Sequence, residues 1–246
     1  MEVFCVWKEE IEIIDFHSHI LPGVDDGAKD LDISVKMLSL MSQQGVDKVV
    51  STSHYYSHFE DISSFINRRN DALYNLEKHI KEHDLFLPEI IPAAEVRLYS
   101  DLSSNPDLGK LCIGDTKNIL VEMPYMKWSD WMYNEIYSIA SKGYTPIVAH
   151  LERYLDTVSV KTITDKLLSL GVLVQCNAEA FSDWKERRFV KKLIKHGRLT
   201  VIGTDCHSMK TRLPNINIAL EYLSKKFGDE IIKAVMNNAS LLIGAK

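Results

Sequence analysis

The sequence predicts an α/β fold, a single parallel barrel of seven βα units occupying residues 1–246. Three observations carry this expectation. Seven short β-branched runs alternate with longer stretches of helical period. No Pro-, Gly- or Ser-rich linker divides the chain. Its 246 residues, 46% hydrophobic, suit one barrel, which takes roughly 250 residues.

Strands are expected at 11–16 (IEIIDF), 47–53 (DKVVSTS), 89–95 (EIIPAAE), 118–123 (NILVEM), 145–150 (TPIVAH), 172–177 (VLVQCN) and 199–204 (LTVIGT). The first helix is placed at 30–44, where Leu31, Val35, Leu38 and Met41 share one face and Gly45 provides a stop. A long charged helix follows at 60–83, then helices at 129–142, 157–170 and 183–196, ended by Gly143, Gly171 and Gly197. Two closing helices are expected at 214–227 and 228–238. Residues 96–117 fit least well, because Pro106, Gly109 and Gly114 interrupt any long element; an insertion with a short hairpin is expected there.

Composition removes several classes of function. The formal charge is −5 and the pI about 6.0, so no basic surface advertises nucleic acid. The opening MEVFCVWKEE lacks the apolar core of a signal peptide, and no stretch approaches the roughly 20 apolar residues of a membrane span. No role is assigned to residues 1–10. Cys5, Cys112, Cys176 and Cys206 form no C-x-x-C pair, as expected of free thiols in a reducing cytoplasm.

The chemistry lies in where the acids and histidines fall. His17 and His19 follow the first strand, and residues two apart on a strand share a face. His54 ends the second strand, Glu95 the third, Glu122 lies near the end of the fourth, His150 ends the fifth, and Asp205 and His207 follow the seventh. With Asp26, these nine donors gather at the C-terminal ends of the strands, the face where parallel barrels hold their active sites. Nitrogen and carboxylate ligands of this kind suit Zn, Mn or Fe, and nine exceed what one ion can use. His79, His83 and His196 sit on polar helix positions and are read as solvated; His58 is left open.

The stretches "DFHSHILPGVDDG", "STSH", "AAEV", "VEMP", "AHLERY" and "GTDCH" resemble, in this order, the motifs of the polymerase and histidinol phosphatase (PHP) family. Within it they are most similar to the capsule-operon bacterial tyrosine phosphatases of the CpsB type. The resemblance runs from about residue 12 to about residue 240. It implies a distorted (β/α)7 barrel of the PHP fold holding three metal ions, Mn foremost, with Fe, Zn, Co or Mg as alternatives. By position it implies one ion on His17, His19, Glu95 and Asp205. A second would share Glu95 with Glu122 and His150, and a third would sit on Asp26, His54 and His207. Arg153 in "HLERY" and Arg212 in "TRLP" match the family's phosphate-binding arginines. One departure is local: after the "SH" of the second strand some relatives carry basic residues, whereas this chain has Tyr55, Tyr56 and Ser57.

Closely spaced cations would acidify a shared water and clamp phosphoryl oxygens, giving phosphoester hydrolysis by a metal-bridging hydroxide. Arg153 and Arg212 would bind the phosphate through paired hydrogen bonds, and Asp205 or His207 would act as general acid if its ligand role allows. Tyr55, Tyr56 and Trp128 are candidates for contact with a substrate ring. The branch resemblance implies as substrate the tyrosine-rich phosphorylated tail of a bacterial tyrosine kinase governing polysaccharide export; a homo-oligomer is left open. Three readings compete. "CHSMKTR", from Cys206 to Arg212, has the C-x5-R spacing of cysteine-dependent phosphatases, but no glycine with which to wrap an anion. Histidinol phosphate is the alternative substrate. A metal-stabilised scaffold that docks a kinase is the reading without catalysis.

Overall fold

The strands of the protein form a curled parallel sheet in the computed structural model, which describes residues 11–245. In chain order they are β1 (Ile14–Ser18), β2 (Lys48–Ser51), β3 (His54–Tyr55), β4 (Glu89–Pro92), β5 (Glu95–Arg97), β6 (Asn118–Glu122), β7 (Thr145–Val148), β8 (Leu173–Asn177) and β9 (Val201–Gly203). Every pairing is parallel. Seven strand positions result, because the second is broken between β2 and β3 and the third between β4 and β5. Hydrogen bonds from Ala93 to Ser51 and from Glu95 to Thr52 carry the sheet across these breaks. β1, β2, β6 and β8 are buried almost throughout, so these strands read as apolar runs without alternation.

The ring closes just beyond β9. Asp205 donates its N–H to His17 O at 2.7 Å, and His19 donates to Cys206 O at 3.0 Å. Gly203 makes this approach tolerable: a Cβ added there would lie 2.4 Å from His17 Cβ and 2.6 Å from His17 N.

The helices are α1 (Leu31–Gln43), α2 (Ile62–Glu82), α3 (Asp130–Ser141), α4 (Val160–Thr162), α5 (Trp184–Lys195), α6 (Ile216–Phe227) and α7 (Asp229–Leu242). Asp30, Asp61 and Asp183 accept backbone N–H groups as the N-caps of α1, α2 and α5. Two expectations are corrected. The helix expected over 157–170 is only a turn of α-helix at Val160–Thr162, continued by a π segment (Ile163–Leu167) and a 3₁₀ turn (Leu168–Leu170). The β-branched residues Val158, Val160, Thr162 and Ile163 explain its weak helicity. The expected hairpin within 96–117 does not form. Two 3₁₀ turns, Leu102–Ser104 and Leu108–Leu111, occupy that connection, and the buried Glu135 of α3 accepts N–H groups from Asp101 and Ser103. Among the described residues no helix is long and apolar enough to cross a membrane. Cys112, Cys176 and Cys206 are unpaired and buried; Cys5, with the rest of residues 1–10, lies outside the described residues.

Gly203→Ala is expected to destabilise the protein by about 1–3 kcal/mol, the range for overpacking a tight contact. Gly109→Ala, whose Cβ would meet nothing closer than the Tyr144 hydroxyl at 3.3 Å, should cost less. Thermal unfolding of both variants checks this; equal losses would show that closure at β9 is not the tight point.

Candidate metal centre and substrate site

All nine expected donors stand at the C-terminal mouth of the barrel. His17 and Ser18 end β1 and His19 follows; His54 opens β3, Glu95 opens β5 and Glu122 ends β6. His150 follows β7, and Asp205 and His207 follow β9. His17, His19 and Glu95 have no exposure, while the Asp26 side chain is 68% exposed at the rim.

The geometry turns on ring tautomers. His17 Nδ1 lies 3.1 Å from Gln175 Oε1, whose orientation is set by two further bonds: Oε1 accepts His150 N–H, and Nε2 donates to Asn177 Oδ1. His17 therefore donates from Nδ1 and presents a lone pair on Nε2. His19 does the same, with Nδ1 held 2.7 Å from Asp25 Oδ2, and so does His207, with Nδ1 2.9 Å from Asp205 O. The Nε2 atoms of His17 and His19 are then 3.1 Å apart. Two buried lone pairs face each other at that distance only if a positive charge, a proton or a cation, lies between them.

Carboxylates complete the cluster. Glu95 Oε2 is 3.3 Å from both His17 Nε2 and His19 Nε2 and 2.9 Å from His54 Nδ1. Glu95 Oε1 is 2.7 Å from His150 Nε2. Asp205 Oδ1 lies 3.4 Å from His17 Nε2 and 3.3 Å from His19 Nε2. Asp26 Oδ1 is 3.4 Å from His54 Nε2 and from His207 Nε2. Yet Glu95 Oε2, Asp205 Oδ1, His54 Nδ1 and His207 Nε2 are buried without a partner in hydrogen-bond geometry. Such a donor set fits cations. Three groups of these residues bring ligand atoms within 4.8 Å of one another: His17, His19, Glu95 and Asp205; His19, Asp26, His54 and His207; and His54, Glu95 and Glu122. The first has the membership expected from the sequence. In the other two, His19 and His54 take part beyond their expected sets, and His150 meets Glu95 through its other oxygen.

Electrostatics follow from burial against pairing. Burial opposes charge on His17 and His19, but Asp205, Glu95 and Asp25 outweigh it and raise both rings above the ordinary 6.5. Burial likewise opposes charge on Asp25, Glu95 and Asp205, and the facing histidines hold all three below the usual carboxylate range. Glu122 is raised by burial and by the charge of Glu95. His207 is lowered, chiefly by burial.

Arg153 Nη1 and Arg212 Nη2 both meet Asp205 Oδ2, at 2.9 and 2.5 Å. Asp205 thus offers one oxygen to the histidines and the other to two guanidinium groups. Backbone strain collects at the same place. His150, Asp205 and Arg212 have φ of 33°, 53° and 53°, three of the five non-glycine residues in that region among those described.

Two expected aromatic contacts are corrected. Tyr55 is 2% exposed and packs on Phe65, because strand alternation turns it away from the face that His54 shares with the site. Its neighbour Tyr56 stacks on His54 with ring centroids 5.1 Å apart. With Phe59, Tyr56 lines a cavity of about 390 Å³ that also meets His54 and Asp26. Trp128 is buried against Tyr154 and donates to Pro124 O. The C-x5-R reading also fails, since Cys206 is fully buried and burial, with Asp15 and Asp205 nearby, pushes its thiol well above the ordinary range. Gln175, Asn177, Asp25 and Gly27 were not singled out from the sequence. Gln175 and Asn177 are the polar interruptions of an otherwise apolar strand; Gly27 abuts His19, where a Cβ would fall 2.2 Å from its carbonyl oxygen.

A family model described as capsular polysaccharide synthesis, CpsB/CapC, matches residues 13–244. The tyrosine-protein phosphatase YwqE of Bacillus subtilis (strain 168) is 29% identical over 238 residues, covering 94% of this chain and 91% of that protein. The tyrosine-protein phosphatase CpsB of Streptococcus agalactiae serotype III is 28% identical over 229 residues, covering 89% and 92%. Among solved structures, work on YwqE from Bacillus subtilis and CpsB from Streptococcus pneumoniae, described as unique metal-dependent tyrosine phosphatases, provides a match with a TM-score of 0.83 at 27% identity over 95% of each chain. A probable 2-pyrone-4,6-dicarboxylic acid hydrolase from Acinetobacter baumannii shares the fold, with a TM-score of 0.56 at 14% identity over 95% of this chain and 100% of that one.

Two outcomes are expected of the donor cluster. Asp25→Asn should weaken metal binding by about 10–100-fold, as loss of a partner that orients a ligand does, which titration with Mn²⁺ would measure. The second concerns pH. In metal-free protein the raised His17 and His19 contribute stability that is full below 6.5 and lost as pH rises through their folded values. The lowered Asp25, Glu95 and Asp205 contribute stability present above 4.5 and lost as pH falls through theirs. A cation must displace the ring protons, so its affinity rises with pH. Melting profiles should therefore peak at lower pH in chelator than in Mn²⁺; superimposable profiles would exclude proton–metal competition.

Proposed function

The chain belongs to the CpsB/CapC family of capsular polysaccharide synthesis, and from that premise we propose that it is a metal-dependent protein-tyrosine phosphatase. The relatives' activity supports this reading, and one observation in this chain carries it. Asp205 joins a buried cluster of nitrogen and carboxylate donors to two arginines at the mouth of the barrel.

Three ions, Mn²⁺ foremost, are proposed. His17, His19, Glu95 and Asp205 would hold one, Glu95 with Glu122 and His150 a second, and Asp26, His54 and His207 a third. When bound, such ions supply Lewis-acid stabilisation of phosphoryl oxygens and a water acidic enough to attack near neutral pH. The chain's residues do the rest. Arg153 and Arg212 each present a planar fork of donors suited to phosphate, in a geometry lysine does not reproduce. Tyr56 and Phe59 offer the phenyl ring an aromatic wall beside His54. A phenol, with an ordinary pKa of about 10, demands little of a general acid. Asp205 or His207 would hand on a proton only where its place as a ligand leaves it free to do so.

Residues 1–246 are proposed to work as one phosphatase domain in the cytoplasm, where Cys112, Cys176 and Cys206 would stay reduced. Its substrate is proposed to be the phosphorylated tyrosine-rich tail of a bacterial tyrosine kinase. A flexible tail reaches a recessed site that a folded surface does not.

Chelation should abolish hydrolysis of a phosphotyrosine peptide and Mn²⁺ or Co²⁺ should restore it; activity in protein shown metal-free by elemental analysis would refute the assignment. Cys206→Ser should stay within about tenfold of the parent, roughly 1.4 kcal/mol in barrier. Arg153→Ala and Arg212→Ala should each cost about 1.5–3 kcal/mol in kcat/KM with unchanged metal content. Tyr56→Ala should raise KM for the phosphotyrosine peptide. A preference for histidinol phosphate over that peptide in kcat/KM would overturn the substrate.

A further inference from the structure

In a chain of net negative charge, α5 and the turn after it stand apart. Residues 184–198 carry seven Lys or Arg against one acid, Glu186. Phe189, Val190 and Leu193 form the buried face of the helix. Arg187 and Lys191 lie over the Tyr222 ring, and Lys185 pairs with Asp156. Arg188, Lys192, Lys195 and Arg198 are left exposed.

These cations border a groove between α5 and the irregular segment that begins at Val160. One part, about 640 Å³, has Val160, Leu168, Phe189 and Leu193 as its floor and Lys192, His196 and Arg198 on its rim. A second part, about 260 Å³, shares Val160, Phe189 and Lys192 with the first and adds Leu155, Trp184, Lys185 and Arg188. Leu155 lies on the same 3₁₀ turn as Arg153, and Lys185 ties α5 back to that turn. One end of the groove is therefore formed by the turn that also carries Arg153, the arginine assigned to phosphate.

Its chemistry selects the occupant. Cations on the rim call for acidic groups and an apolar floor calls for apolar side chains. Phe189 and Leu193 are 3% exposed and Leu168 5%, recessed where a flat bilayer does not reach; Trp184, 69% exposed, alone protrudes. We infer that this groove binds an acidic segment with interspersed apolar side chains, the stretch of the phosphoprotein substrate that flanks its phosphotyrosine. The inference rests on the phosphatase reading above.

The test compares wild type with an Arg188→Glu, Lys192→Glu double variant. The substrates are two phosphotyrosine peptides of equal length, one flanked by alternating Glu and Leu and the other by Lys and Leu, and para-nitrophenyl phosphate. Wild type should show a KM about tenfold lower for the Glu peptide, consistent with a few rim charge pairs, and the variant should lose that preference. Turnover of para-nitrophenyl phosphate should not change. Equal KM values for the two peptides in wild type, or equal losses on the small ester in the variant, would overturn the inference. Binding of the unphosphorylated Glu peptide, read by fluorescence with Trp184→Phe as control, keeps the two readings apart. A protein inert on every phosphoester that still binds this peptide through α5 would refute the phosphatase and keep the groove. Sedimentation with phosphatidylglycerol vesicles that the double variant loses, without peptide binding, would assign the surface to lipid instead.

Discussion

Glu95 is fully buried where β5 begins, with three imidazole nitrogens within 3.3 Å of one carboxylate oxygen and a fourth 2.7 Å from the other. A buried carboxylate is tolerated only when positive charge or donors surround it, and much of the barrel mouth is arranged to provide them. The break at Ala93–Ala94 sets Glu95 level with His54 across the sheet, a register in which the two residues pair directly. The closure of β9 on β1 brings Asp205 to the same two histidines. Removing Glu95 would leave four rings with no common counter-charge.

Much of this was legible in the sequence because polar donors at the ends of apolar strands are conspicuous. Eight of the nine sit at or just beyond the end of a β-branched run, Asp26 following in the loop after the first, and the barrel gathers those ends. The residues that hold the rings in place were harder to see. Gln175 acts through a side-chain amide on a strand two positions round the barrel from His17, and Asp25 looks like turn chemistry beside Asp26. Neither has a local pattern, since each is defined by a partner 158 or 6 residues away. Tyr55 was misplaced for a different reason. Alternation along the strand puts it opposite His54, and the short β3 ends just in time for Tyr56 to turn back.

The site is built at the limit of what the backbone allows. Gly203 and Gly27 let other segments approach His17 and His19 more closely than any side chain would permit. His150, Asp205 and Arg212 adopt left-handed conformations that these residues rarely visit. Strain of order 1–3 kcal/mol at each such position persists only where the surroundings over-determine it. Here those surroundings are a closed sheet, a fixed Gln175 and a short loop in which Arg212 O accepts the His207 N–H.

The division of Asp205 has a consequence for how ligands communicate. One oxygen faces the nitrogen pair and the other holds both guanidinium groups, so the charge available to each side depends on the occupant of the other. An anion that draws Arg153 and Arg212 off Asp205 returns negative charge to the ring nitrogens and strengthens their hold on a cation. Thermodynamic reciprocity then requires the cation to strengthen anion binding by the same factor. Through one carboxylate, an anion on the two arginines and a cation on the ring nitrogens would thus be cooperative ligands, each raising the other's affinity.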